Sequence, residues 1–137
     1  MLIEWKDNLN LGIPEMDRQH RAMATHLNHL FTMVRERPDS LQNEEEIEQE
    51  LHTLYHNARA HFQCEERLMR EYGYPDLGEH EREHAMLLAE LKTLIGRLER
   101  GEEMLDTTTM EALRSWLVTH ILFADRAFAR SARPPAL

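Results

Sequence analysis

Five histidines and two carboxylates lie on stripes of the chain that are otherwise apolar: His20, His61, Glu65, His80, His84, His120 and Asp125. A polar side chain on the wet face of a helix is ordinary. One aligned with leucines needs a partner, because an unpaired buried polar group is costly. Seven such groups from four segments can satisfy one another around a shared ion or ion pair. His61 and Glu65 stand four residues apart, as do His80 and His84, so each pair shares one helix face about a turn apart. His120 and Asp125 stand five apart, and at roughly 100° per residue that turns Asp125 well away from His120. A local widening of the helix would bring them together, so a π-type segment is expected over residues 120–125.

Glu65 is the sharpest single clue. A carboxylate within an apolar stripe is expensive unless it is paired or coordinates a metal. Inward-facing lysines and arginines are scarce, which leaves a cation. The donors also exceed the needs of one ion. Two six-coordinate ions offer twelve positions. Five imidazoles, two bridging carboxylates and one bridging oxide or hydroxide would fill eleven of them. The position left over would suit a small external ligand, if the ions are octahedral and the carboxylates bridge.

Positioning these donors requires long elements, and the apolar pattern supplies four helices. The first spans about Asp17 to Arg35, with Met23, Leu27, Leu30, Phe31 and Val34 inward and Pro38 closing the segment. The second spans about Glu44 to Tyr72, with Ile47, Leu51, Leu54, Ala58, Leu68 and Tyr72 beside His61 and Glu65; Gly73 and Pro75 end it. The third opens at Asp76, a candidate cap with Glu79 in the reciprocal position, carries Leu77, Leu87, Leu91, Leu94 and Leu98, and stops at Gly101. The fourth opens on a Thr108 to Glu111 capping box and turns Leu113, Trp116, Leu117, Phe123, Ala124 and Ala127 inward. Short connections make this an all-α, up-down-up-down four-helix bundle with an N-terminal arm. The expectation is a single domain over 1–137, the arm about 1–15 and the bundle about 16–131. Trp5 should pack the arm down onto the helices.

Bulk properties narrow the function. A chain of 137 residues can bury a core without disulfides. A formal charge of −9 argues against nucleic acid and anionic membrane surfaces. The lone Cys64 cannot staple the fold, no apolar run is long enough to span a membrane, and the first residues lack a secretory pattern, so a cytoplasmic setting is expected. His26, His29, His52 and His56 lie off or at the edge of the stripes and read as surface residues. Cys64 reads as a small apolar filler and Glu66 as a solvated neighbour of Glu65. Outer partners for the imidazoles are not identified; backbone carbonyls or glutamates from adjacent turns would serve.

The ordered set His20, His61-x-x-x-Glu65, His80-x-x-x-His84 and His120-x-x-x-x-Asp125 resembles the hemerythrin family, and most closely its single-domain bacterial members. The resemblance covers nearly the whole chain. It includes the Trp5 arm, Asp17-Arg18-Gln19-His20, His61-Phe62, Glu65-Glu66, Tyr74-Pro75 and Trp116 four residues ahead of His120. It implies two non-heme iron ions bridged by oxide or hydroxide that bind dioxygen reversibly, for storage, delivery or buffering. By the same resemblance His80, His84 and His120 hold one iron, and His20 and His61 hold the other. Glu65 and Asp125 bridge, and the two-histidine iron carries the open position. Met23, Phe62, Trp116, Leu117 and Ile121 match the apolar ligand pocket.

This makes the leading expectation an oxygen-binding carrier, a monomer, with an oxygen-using enzyme as a conceivable recipient. Alternatives are a di-iron enzyme or scavenger acting on peroxide or nitric oxide, an oxidase, an oxygen or redox sensor, and a bundle holding zinc. Carboxylate-rich di-iron enzymes use Glu-x-x-His pairs on two helices. Here only Glu81 with His84 fits that spacing, and Glu81 lies off the stripe. The absence of an appended signalling segment weakens the sensor reading.

Overall fold

A computed structural model describes residues 2–36 and 41–132, with side chains described from residue 44 onward in the second helix. After a short 3-10 turn at Asp7–Leu9 come α1 (Pro14–Arg35), α2 (Leu41–Glu71), α3 (Leu77–Glu99) and α4 (Thr107–Thr119). The last runs unbroken through a π segment, His120–Asp125, into α5 (Arg126–Ala132). No strand occurs among the described residues. Helix α2 packs against both α1 and α3, and α4 packs against α1, which closes a four-helix bundle. Pro38 lies outside the described residues.

Local chemistry sets the helix ends. Helix α1 begins three residues earlier than the apolar pattern suggests because Pro14 takes the first helical position, where its fixed φ and missing N–H cost nothing. Asp17 then lies inside the helix, and its carboxylate accepts the N–H groups of Leu11 (2.7 Å) and Gly12 (3.1 Å), tying the arm to the first turn. Helices α2 and α3 each stop at a left-handed glycine, Gly73 at φ 66° and Gly101 at φ 70°. In each the following residue donates back across the last turn, Tyr74 to Met69 and Glu102 to Arg97, both at 2.9 Å.

The expected caps are different in fact. Asp76 occupies the cap position of α3 but its side chain makes no capping bond. Helix α4 starts at Thr107 rather than at the Thr108 box, because Asp106 captures the Thr109 N–H at 2.8 Å. A carboxylate there also complements the helix dipole.

The core follows the stripes, with one shift of register. Leu27, Leu30, Leu51, Leu54, Ala58 and Leu117 are buried as expected, each leucine contributing roughly 1.5–3 kcal/mol through burial. Leu77, Leu87 and Leu94 are only half-buried, and Ile95 completes the α3 core instead. Tyr72 is 59% exposed, its ring edge against Phe128. Phe123 is 72% exposed, Ala127 is exposed, and Ala124 is half-buried. The inward positions go to Ile121, Asp125, Phe128 and Ala129, because the π segment adds a residue to the turn and moves everything after it by one position.

The arm lies across the bundle. Ile3 exchanges two hydrogen bonds with the Asn28 side chain, at 2.7 and 2.8 Å, and Arg114 donates to the Leu2 carbonyl at 2.9 Å. Arg126 donates to the Asn8 carbonyl. Trp5 is half-buried, donates its indole N–H to Asn10 at 3.0 Å, and lies beneath the Arg21 guanidinium.

Candidate metal centre

All seven candidate residues converge in the bundle interior, each at 5% exposure or less. Helix α1 supplies His20, α2 supplies His61 and Glu65, α3 supplies His80 and His84, and the π segment supplies His120 and Asp125. The widening expected at 120–125 is present, with the Arg126 N–H reaching back five residues to the Ile121 carbonyl. It brings His120 Nε2 within 3.0 Å of Asp125 Oδ1.

Every imidazole turns its Nε2 toward the two carboxylates. Around Glu65 stand His61 at 3.2 Å, His84 at 3.3 Å, His20 at 3.5 Å and His120 at 3.6 Å. Around Asp125 stand His20, His80 and His120, all at 3.0 Å. The donor atoms fall into two compact groups: Glu65, His80, His84, His120 and Asp125 in one, and His20, His61, Glu65 and Asp125 in the other. Both carboxylates belong to both groups, as two adjacent cations with shared bridging ligands would require.

Hydrogen bonding alone leaves this cluster unsatisfied. The Nε2 atoms of His20 and His61, both oxygens of Glu65 and Oδ2 of Asp125 are buried without a hydrogen-bond partner. Buried polar atoms normally have one, and this many orphans pointing at a common centre is the signature of a cation site. The Nε2 atoms of His84 and His120 face each other at 3.2 Å, a contact that two lone pairs tolerate only with a proton or a cation between them. A donor set of imidazoles with carboxylates suits divalent iron and its neighbours in the first transition row.

Without an ion the cluster compensates by charge pairing. Burial works to lower the His20 and His120 pKa values, but the facing Asp125 and Glu65 carboxylates outweigh it and push them up to about 9 and about 11. Burial works to raise Glu65, yet the surrounding imidazoles of His61, His120 and His20 hold it well below the usual carboxylate range. Asp125 is lowered too, against burial and the nearby Glu65 charge, by His120 and His20.

The outward nitrogens identify partners that the sequence alone did not. His120 Nδ1 lies 3.0 Å from Glu83 Oε1, and His84 Nδ1 faces Glu66 Oε2 at 3.8 Å. Both glutamates come from a neighbouring helix rather than from adjacent turns, and Glu66, expected as a solvated neighbour, approaches His84 without hydrogen-bonding it. His61 Nδ1 lies 2.6 Å from Gln19 Oε1. Cys64, expected as a passive filler, touches Gln19 and Glu15 through its sulfur. The signal for Glu83 was its place beside His84. Gln19 gave no signal beyond preceding His20.

Of the expected pocket residues, Met23, Phe62, Leu117 and Ile121 are buried and Trp116 is half-buried. Phe62 stacks on His84 with ring centres 4.0 Å apart and meets His120 and Trp116 edge-on. The remaining histidines stand apart: His26 is half-buried against Glu50, His52 pairs with Glu99 at the surface, and His29 and His56 are exposed. Glu81 points outward to Arg70 at 3.7 Å. No helix among the described residues is long and apolar enough to cross a membrane.

The profile of the Hemerythrin HHE cation binding domain matches residues 11–131. A bacteriohemerythrin of Stenotrophomonas maltophilia is 35% identical over 129 residues, 93% of this chain and 80% of that protein. One from Methylococcus capsulatus is 31% identical over 114 residues, 82% of each. A crystal structure of wild-type hemerythrin superposes with a TM-score of 0.86 at 26% identity, covering 96% of this chain and 98% of the other.

Proposed function

Because the chain belongs to the hemerythrin family, we propose that it holds two iron ions and binds dioxygen reversibly, as a carrier or buffer rather than a catalyst. His80, His84 and His120 would hold one ion and His20 and His61 the other, with Glu65 and Asp125, and an oxide or hydroxide, shared between them. Bound there, a ferrous pair would supply the reversible electron exchange that dioxygen binding needs.

The observation that carries this reading is the unequal donor count around shared carboxylates, five on one side and four on the other. With a shared hydroxide, an octahedral ion would find a full ligand set on the first side and one ligand fewer on the second. A cavity of about 330 Å³ between α1 and α2, lined by Gln19, Ala22, Met23, Asn57, Ala60 and His61, lies against that second side. It gives a small molecule an approach to the position that is short of a ligand. Phe62, Leu117, Ile121, Met23 and Trp116 keep water from the centre, and a dry site slows irreversible loss of a reduced oxygen species.

The donor balance favours binding over oxygen splitting. Five neutral imidazoles and two carboxylates are poor in the anionic oxygen that stabilises higher-valent iron. The Glu-x-x-His pattern of carboxylate-rich enzymes gains no support, since Glu81 faces solvent and Arg70. The test is optical and elemental. Purified protein loaded with ferrous iron should contain about two irons per chain, develop a visible charge-transfer band in air, and lose and regain it through anaerobic cycling. Failure to form the band, or consumption of dioxygen with turnover, overturns the carrier reading.

A further inference from the structure

The two groups of donors differ in what stands behind them as well as in number. On the five-donor side the outward nitrogen of His120 meets a carboxylate, Glu83 at 3.0 Å, and that of His84, although it makes no hydrogen bond, has the Glu66 carboxylate nearby at 3.8 Å. On the four-donor side His61 faces a neutral amide, Gln19, at 2.6 Å, and the outward nitrogen of His20 has no hydrogen-bond partner. An imidazole that donates to a carboxylate becomes a stronger ligand, and one that donates to an amide gains much less.

Gln19 is itself held in one sense. The Cys64 S–H donates to Glu15 Oε1 at 3.0 Å, and Arg67 donates to the same oxygen at 3.1 Å. With its single proton spent there, the sulfur offers lone pairs to the Gln19 amide N–H at 3.4 Å. The amide oxygen is then the end that faces His61. It can only accept, so His61 carries its proton on Nδ1 and presents the Nε2 lone pair inward. Glu15, an acceptor at the surface end, thereby sets the direction of every bond down to the metal-facing nitrogen.

We propose that Gln19, oriented by Cys64 and Glu15, is a positioning residue that fixes His61 as a metal donor while leaving the four-donor ion the weaker-held and more easily reduced of the two. The proposal rests on the reading that the cluster holds a pair of metal ions. Its physical content is that ligand shortage and an electron-poor donor fall on the same ion, which is also the ion beside the α1–α2 cavity.

The test follows iron release from the loaded protein to a chelator, alongside the reduction potentials of the two irons. Gln19→Leu should speed loss of one iron by roughly 10–100-fold, the usual effect of removing a hydrogen-bonded outer partner, with the other iron within about twofold of wild type. Gln19→Glu should slow that same loss and lower the potential of that iron alone. Cys64→Ala, which can neither donate to Glu15 nor accept from Gln19, should move in the direction of Gln19→Leu. Cys64→Ser, whose hydroxyl can do both, should restore wild-type behaviour.

Equal acceleration of both irons in Gln19→Leu would show a merely structural role, and no change in either would dismiss the residue. A Cys64→Ser protein that behaves like Cys64→Ala removes the thiol from the relay. Histidine ring nitrogen NMR on the metal-free protein separates this proposal from the metal reading. His61 should show a slowly exchanging proton on Nδ1 that Gln19→Leu loses. Its absence from wild type overturns the relay whether or not two irons bind.

Discussion

Replacing Glu65 with alanine should separate the contribution of the cluster to folding from its contribution to metal binding. Glu65 is fully buried, and imidazoles approach its oxygens from His61, His84, His20 and His120 at 3.2 to 3.6 Å. In the metal-free protein the substitution leaves cationic His20 with only Asp125 facing it, and cationic His120 with Asp125 and the half-exposed Glu83. Breaking a buried pair of this kind costs about 3–5 kcal/mol. For a domain of this size each kcal/mol moves the melting midpoint by about 3–5 °C, so the metal-free protein should melt roughly 10–25 °C lower. With iron present at a hundredfold over its dissociation constant, wild type gains a further ~2.7 kcal/mol that the variant cannot. The iron-loaded gap must therefore exceed the metal-free gap. Glu65→Gln keeps the shape but removes the same counter-charge, so it should lose iron as completely and also cost the metal-free fold about 3–5 kcal/mol. His52→Ala, which removes an exposed ring paired with Glu99, should leave iron content unchanged and stability within about 0.5 kcal/mol. The assays are iron per chain and thermal melts with and without iron. Two irons retained in Glu65→Ala, or equal loss in His52→Ala, would refute the reasoning.

Deleting Phe123 should let the π segment run as a plain helix, with the carboxylate now four residues after His120 and Phe128 still inward. Inserting an alanine after Phe123 should rotate Asp125 and Phe128 by about 100° and abolish iron binding. Iron analysis of both variants decides, and an insertion that binds two irons would rule out the register argument. Proton release gives a separate check. His20 and His120, raised from 6.5 to about 9 and 11, are protonated in metal-free protein at pH 7.5. Their stabilisation of that state is full below pH 6.5 and is lost as pH rises through 9 and then 11. The lowered Glu65 and Asp125 contribute above the ordinary carboxylate range and fail as pH falls through their depressed values. Iron needs the free lone pairs, so a pH-stat should record about two protons released per chain on loading, and affinity should rise with pH; uptake without proton release would count against the pairing. Phe62→Ala should cost about 3–5 kcal/mol by melting, since the ring is buried and stacked on His84, and should hasten bleaching of the oxygenated colour.

The four helices and the convergence of the seven polar side chains were legible because a histidine or carboxylate in a leucine stripe has few innocent explanations. Even the π segment could be anticipated from the five-residue step between His120 and Asp125. Its consequence downstream was not carried through. Reading Phe123 and Ala127 as inward kept a regular helical register across a segment that was itself expected to break it, and Phe128 and Ala129 were missed for that reason. Tyr72 failed differently, since a stripe extended to the last turn of a helix reaches the rim of the bundle, where an aromatic ring packs by one edge only. The caps went astray where two candidates competed locally: Asp106 lies ahead of the Thr108 box, and periodicity does not rank them. Gln19 was illegible because an amide is equally at home in water, and only its contact across to α2 distinguishes it from any other surface glutamine.

The span of the donor set has a consequence for biogenesis. His20 comes early in the chain and Asp125 near its end, and the arm at Leu2 and Asn8 is fastened by Arg114 and Arg126. On a translating ribosome the first helix must therefore wait, its histidine and arm unclaimed, until the π segment and the helix before it have emerged. A centre of this kind could not be assembled piecemeal around an ion captured early, because its donors meet only once all four helices have closed on one another.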